Sequence, residues 1–191
     1  MADPHNKKRY GETWNPLVIS NYLRELEPLK NLIILSGGWA WHFMSPPEHV
    51  ELKHAHDHKD ADIFVLPKNV PIVVEKLTHQ GFKKVPTRFD HLKNNDDFRR
   101  YEKEQKPDLV MKAYYPKLFS DKKLIIDFFV RKDIRIRVLD NGWQVVDPEQ
   151  LLSFYGNIHS SDNCFAVKAA AALLKKGLDP VGKQELMELR K

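Results

Sequence analysis

The segment Asp60-Ala61-Asp62-Ile63-Phe64-Val65 carries the most chemistry in this chain. On a β-strand successive side chains alternate, so Asp60 and Asp62 share one face while Ala61, Ile63 and Val65 take the other. The two Cα atoms then stand roughly 6.6–7 Å apart, and both carboxylates can converge on one ligand. Carboxylates held side by side repel unless something positive sits between them. A hard divalent cation answers that need, and Mg²⁺ takes one or two carboxylates together with waters and phosphate oxygens. The plainer alternative is a strand that starts at a sheet edge, with both acids simply meeting water.

Two further segments bear on the choice. Ser36-Gly37-Gly38 follows an apolar run and precedes a short helix. Two glycines let the backbone approach a bulky anion, and a helix N-terminus offers N–H groups with a favourable dipole. A plain strand-to-helix turn accounts for the glycines equally well. The second segment, Leu124-Ile125-Ile126-Asp127-Phe128-Phe129-Val130, puts an acid in the middle of an apolar strand. That is costly unless the acid is paired or metal-bound; the bland reading is an Asp satisfied by a backbone N–H or a nearby Arg. Together, three acids and a glycine turn form a coherent phosphate-and-metal site.

The elements that must position these residues can be read from pattern and punctuation. Residues 1–13 are polar and basic and read as a loose arm. Asn15-Pro16 reads as N-cap and first helical position, and Val18, Tyr22, Leu26 and Leu29, with Ile19 and Leu23, give that helix its apolar stripe. Leu32 to Leu35 is a short buried strand, and Trp39 to Met44 a short helix. A proline- and histidine-rich loop over 45–58 leads to a strand at Asp60–Leu66. A helix opens at Pro67 and runs to about Gln80, closed by Gly81. Strands are expected near Phe82–Val85, Phe98–Glu102, Leu109–Tyr115, Leu124–Val130 and Ile134–Val138, the last with Ile134, Ile136 and Val138 inward and Arg135 and Arg137 outward. Asp147-Pro148 caps a helix ending near Gly156, and helices follow from about Ser161 to Lys176 and at Lys183–Leu189. The fold class is α/β in the broad sense (α+β): a mixed-sheet core over 14–146 and a C-terminal helical segment over 147–191.

Composition excludes several classes. With 42% hydrophobic and 30% charged residues in 191, the chain has material for a core and is not wholly disordered. No apolar run approaches the roughly 18 residues of a membrane span, so no membrane is expected. The start, Met1-Ala2-Asp3-Pro4-His5-Asn6, lacks the apolar stretch of a secretory signal. A single cysteine, Cys164, excludes an internal disulfide and a multi-cysteine zinc site, and a reducing, cytoplasmic setting is expected. Most of the net charge of +5 lies between Lys117 and Arg137, where Lys117, Lys122, Lys123, Arg131, Lys132, Arg135 and Arg137 face three acids. An anionic ligand or a solvated sheet edge both explain it.

Other candidates carry less. The run His54-Ala55-His56-Asp57-His58, with His49, is one residue short of the H-x-H-x-D-H pattern of metallo-β-lactamase-type hydrolases. Trp14, Trp39, Trp41 and Trp143 read as packing residues. Arg99-Arg100-Tyr101 could stack a base, though an exposed strand face is the usual explanation. Cys164, near a helix start, has no nucleophile context.

The wording Ser36-Gly37-Gly38-Trp39-Ala40, a spacer, then His58-Lys59-Asp60-Ala61-Asp62-Ile63 resembles the nucleotidyltransferase fold of the polymerase-beta superfamily, and within it the lincosamide and aminoglycoside nucleotidyltransferases. The tight match covers about residues 31–66, a looser one Asp127 and the tail from Asp147-Pro148-Glu149. The resemblance implies an ATP- or NTP-dependent transferase that moves a nucleoside monophosphate onto a hydroxyl and releases pyrophosphate. It implies two Mg²⁺ ions held by Asp60, Asp62 and Asp127, with Asp127 also able to accept the hydroxyl proton. Ser36, Gly37 and Gly38 would cradle the β- and γ-phosphates, with His58 beside them and Lys168 as first candidate for a triphosphate cation; Arg131 and Lys132 are weaker ones. The acceptor implied is a small molecule, with an RNA end or a protein side chain as rivals. A homodimer completing the site is compatible with small relatives. The alternative from another class is a non-catalytic, antitoxin-like binding module. The relatives usually carry an acid where this chain has His42, and the spacer is enlarged by Pro46-Pro47 and four histidines. Neutralising one acid is expected to leave the fold intact and to relieve repulsion without metal.

Overall fold

The computed structural model describes residues 16–44, 60–87, 90, 97–104 and 123–156. Helix α1 (Pro16–Leu26) runs into a 3₁₀ turn (Glu27–Leu29), followed by β1 (Ile33–Leu35), α2 (Gly37–Met44) and β2 (Ala61–Val65). A 3₁₀ turn (Pro67–Asn69) opens α3 (Val70–His79), and β3 (Lys83–Val85), β4 (Phe98–Glu104), β5 (Lys123–Val130), β6 (Ile136–Val138), β7 (Gln144–Val146) and α4 (Pro148–Gly156) complete the described chain. The strands form one mixed sheet of seven, in the order β3-β4-β5-β2-β1-β7-β6.

The central strands are the ones whose sequences are apolar on both faces. β1 is fully buried, and in β2 and β5 Ala61, Ile63, Val65, Ile126 and Phe128 are wholly shielded. This face of the sheet forms the core with Tyr22 and Leu26 of α1, Leu29, and Val73 and Leu77 of α3. Val73 and Leu77 lie one helical turn apart and so point the same way. Side chains tie the layers together: Gln80 Nε2 donates to the Glu25 carbonyl (2.7 Å), Asn69 Nδ2 to the Leu32 carbonyl (3.2 Å), and Lys103 Nζ pairs with Glu25 (2.7 Å). Gly81, at φ +87°, takes the left-handed position after α3 that a side chain would resist.

The opposite face of β4, β5 and β2 carries Phe98, Phe129 and Phe64 abreast, paired in register. Ring centroids are 4.9 Å apart for Phe98–Phe129 and 5.6 Å for Phe64–Phe129, and Phe154 of α4 closes on Phe64 at 5.6 Å. Helix α4 is started as the sequence suggests. Asp147 Oδ1 accepts the Gln150 N–H (3.1 Å), with Pro148 at the first helical position.

Three expectations are corrected. Helix α2 begins at Gly37 rather than Trp39, because the Ser36 carbonyl already accepts the Ala40 N–H (3.1 Å). The strand near Ile134–Val138 is shorter and is not turned inward: Ile136 is 41% and Val138 67% exposed. Among the described residues it is the last strand of the sheet and pairs only with β7, so its alternation meets no covered face there. β7 is a strand beyond those the pattern predicts; it pairs with β6 across a turn in which Asn141 Oδ1 accepts the Trp143 N–H (3.1 Å) and Gly142 sits at φ +79°. The arm over 1–13, the histidine loop over 45–58, the strand at Leu109–Tyr115 and the helices beyond residue 157 lie outside the described residues. Among the described residues no helix is long and apolar enough to cross a membrane.

Asp147→Ala removes the cap of α4 and the Arg135–Asp147 ion pair (3.0 Å). A loss of about 1–2 kcal/mol is expected, read as a lower melting temperature; an unchanged one would show that the cap carries no stability.

Candidate active site

Strand register brings the acids together. Asp62 of β2 and Asp127 of β5 are direct partners in a parallel pair, and Arg100 of β4 is the direct partner of Asp127 in the next, antiparallel pair. Neighbouring strands lie roughly 4.7–4.9 Å apart, and paired residues project to the same side. On the other flank the Ser36 N–H donates to the Asp62 carbonyl (2.9 Å), extending the β1–β2 ladder by one residue. Arg100, Asp127, Asp62 and Ser36 therefore form one row across four strands.

The glycine turn lies directly against this row. Gly37 has φ +54°, and a Cβ built there would collide with the Asp62 carboxylate and stand 2.9 Å from its Cγ. Only glycine lets the backbone come so near. Ser36 precedes α2 and is 4% exposed. Its carbonyl closes the first helical hydrogen bond, with Ala40, so the N–H groups of Gly37 and Gly38 come before that bond and point out of the helix N-terminus.

Arg100 organises the charges. Its Nε donates to Asp127 Oδ1 (2.6 Å) and its Nη2 to Asp127 Oδ2 (2.7 Å), a bidentate pair, while the same Nη2 reaches Asp60 Oδ2 at 3.3 Å. The Asp127 side chain is only 10% exposed, against 33% for Arg100 and 32% for Asp60. The Asp127 hydrogen bond raises the guanidinium pKa further above its ordinary value, against an opposing effect of burial; attraction to Asp127, Asp60 and Glu102 adds to it. A cation whose folded pKa is raised stabilises the fold at every pH below its unfolded value, so Arg100 stays charged throughout the range in which proteins work.

Of the residues singled out from sequence, Asp60, Asp62, Asp127, Ser36, Gly37 and Gly38 come together. His58 and Lys168 lie outside the described residues. Arg131 does not join them: it stands four residues beyond Asp127, just past the end of β5, roughly 13 Å at strand rise, and both it and Lys132 are exposed. Arg100 was missed. The bland reading of Asp127, an acid satisfied by an arginine, correctly anticipates the kind of partner, but that partner comes from a strand more than twenty residues away. For Asp127 the expected relief of repulsion is opposed by the loss of a bidentate pair around a buried acid.

Three carboxylates are the hard oxygen donors that suit Mg²⁺. Among the described residues no three His, Cys, Asp or Glu side chains close on one point that could hold a metal ion. The guanidinium instead bridges Asp127 and Asp60, a stand-in cation showing that these oxygens take positive charge between them.

No protein-family model matches the sequence, and no curated protein does either. The chain is similar to the solved structure of the lincosamide antibiotic adenylyltransferase LnuA with lincomycin bound: TM-score 0.47, 14% identity, 85% of this chain and 99% of that one. It is also similar to the antibiotic-resistance factor ANT(2'')-Ia in complex with adenylyl-2''-tobramycin: TM-score 0.47, 12% identity, 92% of this chain and 95% of that one.

Gly37→Ala should cost about 1–3 kcal/mol for a side chain at positive φ, and more for displacing Asp62. Urea unfolding should show a lower midpoint than wild type. An unchanged midpoint would mean that the turn relaxes and that the contact with Asp62 is not tight.

Proposed function

We propose that this chain is a Mg²⁺-dependent nucleotidyltransferase that moves a nucleoside monophosphate from an NTP to the hydroxyl of a small molecule, releasing pyrophosphate. The observation that carries the reading is the row itself: Asp62 and Asp127 as register partners, with Gly37 at a helix N-terminus pressed against the Asp62 carboxylate. Carboxylates beside N–H groups at a helix N-terminus suit a ligand that is both a metal chelate and an anion. A triphosphate is such a ligand.

In this proposal Asp60, Asp62 and Asp127 would hold the Mg²⁺ ions. When bound, the metal would neutralise the triphosphate and lower the pKa of the acceptor hydroxyl. The N–H groups of Gly37 and Gly38, with Ser36, bind the β- and γ-phosphates at the mouth of α2. His58 and Lys168 are proposed as further phosphate contacts. Asp127 accepts the acceptor's proton as its oxygen attacks the α-phosphorus; the O–P bond forms as the bond to the pyrophosphate oxygen breaks. The buried position of Asp127, held in β5 opposite Asp62 by strand register, fixes the carboxylate's direction, which proton abstraction needs. The small-molecule acceptor rests on the Gly37-Gly38-Trp39 and His58-x-Asp60-x-Asp62 wording.

One observation favours a second reading. Arg100 already balances Asp127 and Asp60 without metal, as a non-catalytic binding module would require.

The two readings separate in a transfer assay with labelled ATP, GTP, CTP and UTP, Mg²⁺, and pools of small hydroxylated antibiotics, RNA and protein. The wild type should release pyrophosphate and label a small molecule. Asp62→Asn and Asp127→Asn should each lower turnover by at least about 10²-fold, with Asp62→Asn keeping the wild-type circular dichroism. Binding to RNA that falls steeply with salt would move the acceptor to nucleic acid. Absence of pyrophosphate release with every nucleotide and pool would contradict the enzymatic reading.

A further inference from the structure

We propose that Arg100 is a displaceable counter-ion for the acid pocket, a positioning residue that holds Asp127 and Asp60 when no metal is bound and yields them to an incoming divalent cation. This rests on the pocket being a cation site, as set out above. Divalent-cation affinity would then be set by competition with this one guanidinium.

The fold makes the competition direct. Register fixes Arg100 opposite Asp127, so the guanidinium cannot be placed elsewhere by sliding the strand. Its Nη2 lies 2.7 Å from one acid and 3.3 Å from the other, using the oxygens that a cation between them would need. The Asp127 side chain is 10% exposed and fixed within β5, whereas a third of the Arg100 side chain is exposed. The mobile partner is therefore the cation, whose long flexible stem ends in a group that water readily solvates. Glu102, two residues along β4 and on the same face, is a carboxylate toward which a released guanidinium can turn; Lys123 already pairs with it at 2.7 Å. A pocket of three acids gains on two counts. It stays folded without metal, and it exchanges one cation for another rather than exposing bare repelling carboxylates.

The competition predicts that Arg100→Gln binds divalent cations more tightly while losing metal-free stability. A purely structural arginine would give only the loss. The test is calorimetric titration of the full chain with Mg²⁺ alone and Mn²⁺ alone, without nucleotide, alongside thermal melting with EDTA and with Mg²⁺. Arg100→Gln should bind roughly tenfold more tightly than wild type, melt lower in EDTA, and recover more of its melting temperature in Mg²⁺. Arg100→Lys keeps the charge but not the bidentate fork, and should shift affinity in the same direction by less; it serves if the glutamine variant fails to fold. Arg99→Gln removes the same charge on the opposite face, over the Phe128 ring, and should leave cation affinity unchanged. Equal or weaker binding by folded Arg100→Gln and Arg100→Lys would overturn the proposal, as would an equal gain from Arg99→Gln. Tighter binding by the Arg100 variants without nucleotidyl transfer would uphold the counter-ion and refute the enzyme. Transfer by the wild type without tighter binding would do the reverse. No binding by any variant would refute the counter-ion.

Discussion

Carboxylates on neighbouring strands of one sheet face repel unless a cation stands among them, and much of this molecule is arranged around that constraint. The row Arg100–Asp127–Asp62–Ser36 crosses β4, β5, β2 and β1, and each member is placed by backbone pairing rather than by a flexible loop. Because strand pairing is rigid, the acids cannot drift apart to relieve their charge. The protein supplies its own cation instead, through two short hydrogen bonds to Asp127 and a longer contact to Asp60.

The surroundings amplify that electrostatics. Behind the row, the other sheet face is packed solid by Tyr22, Leu26, Val73 and Leu77; alongside it, the Phe98, Phe129 and Phe64 rings with Phe154 form an apolar wall. Charges next to such a wall are less screened than in water, so both the repulsion between acids and the attraction of any cation are strengthened. The glycine turn completes the pocket from the β1 side. Gly37 leaves no room for a side chain between itself and Asp62, and the helix that starts there directs the positive end of its dipole toward the acids.

What the sequence made legible was local. The period of two placed Asp60 and Asp62 on one face, the apolar run around Asp127 marked an acid needing a partner, and Pro16, Gly81 and Asp147-Pro148 bounded the helices closely. What escaped was non-local or context-bound. Nothing near Arg100 in the chain distinguishes it from an ordinary exposed strand arginine; its role is fixed by a pairing register that only the folded sheet defines. Ile136 and Val138 alternate as a half-buried strand should, yet they sit on the last strand, where none of the described residues covers them. The hairpin between β6 and β7 did leave a signal, the Asn141-Gly142 pair, which commonly joins two short strands.

The arrangement is tested most directly by crystallising the full chain with Mn²⁺ and a non-hydrolysable ATP analogue. Anomalous density against Asp60 and Asp62, the triphosphate at the N-terminus of α2 beside Gly37, and Arg100 withdrawn from Asp127 are the expected result. Nucleotide bound elsewhere, or Arg100 still bridging Asp127 and Asp60 with no metal present, would contradict it.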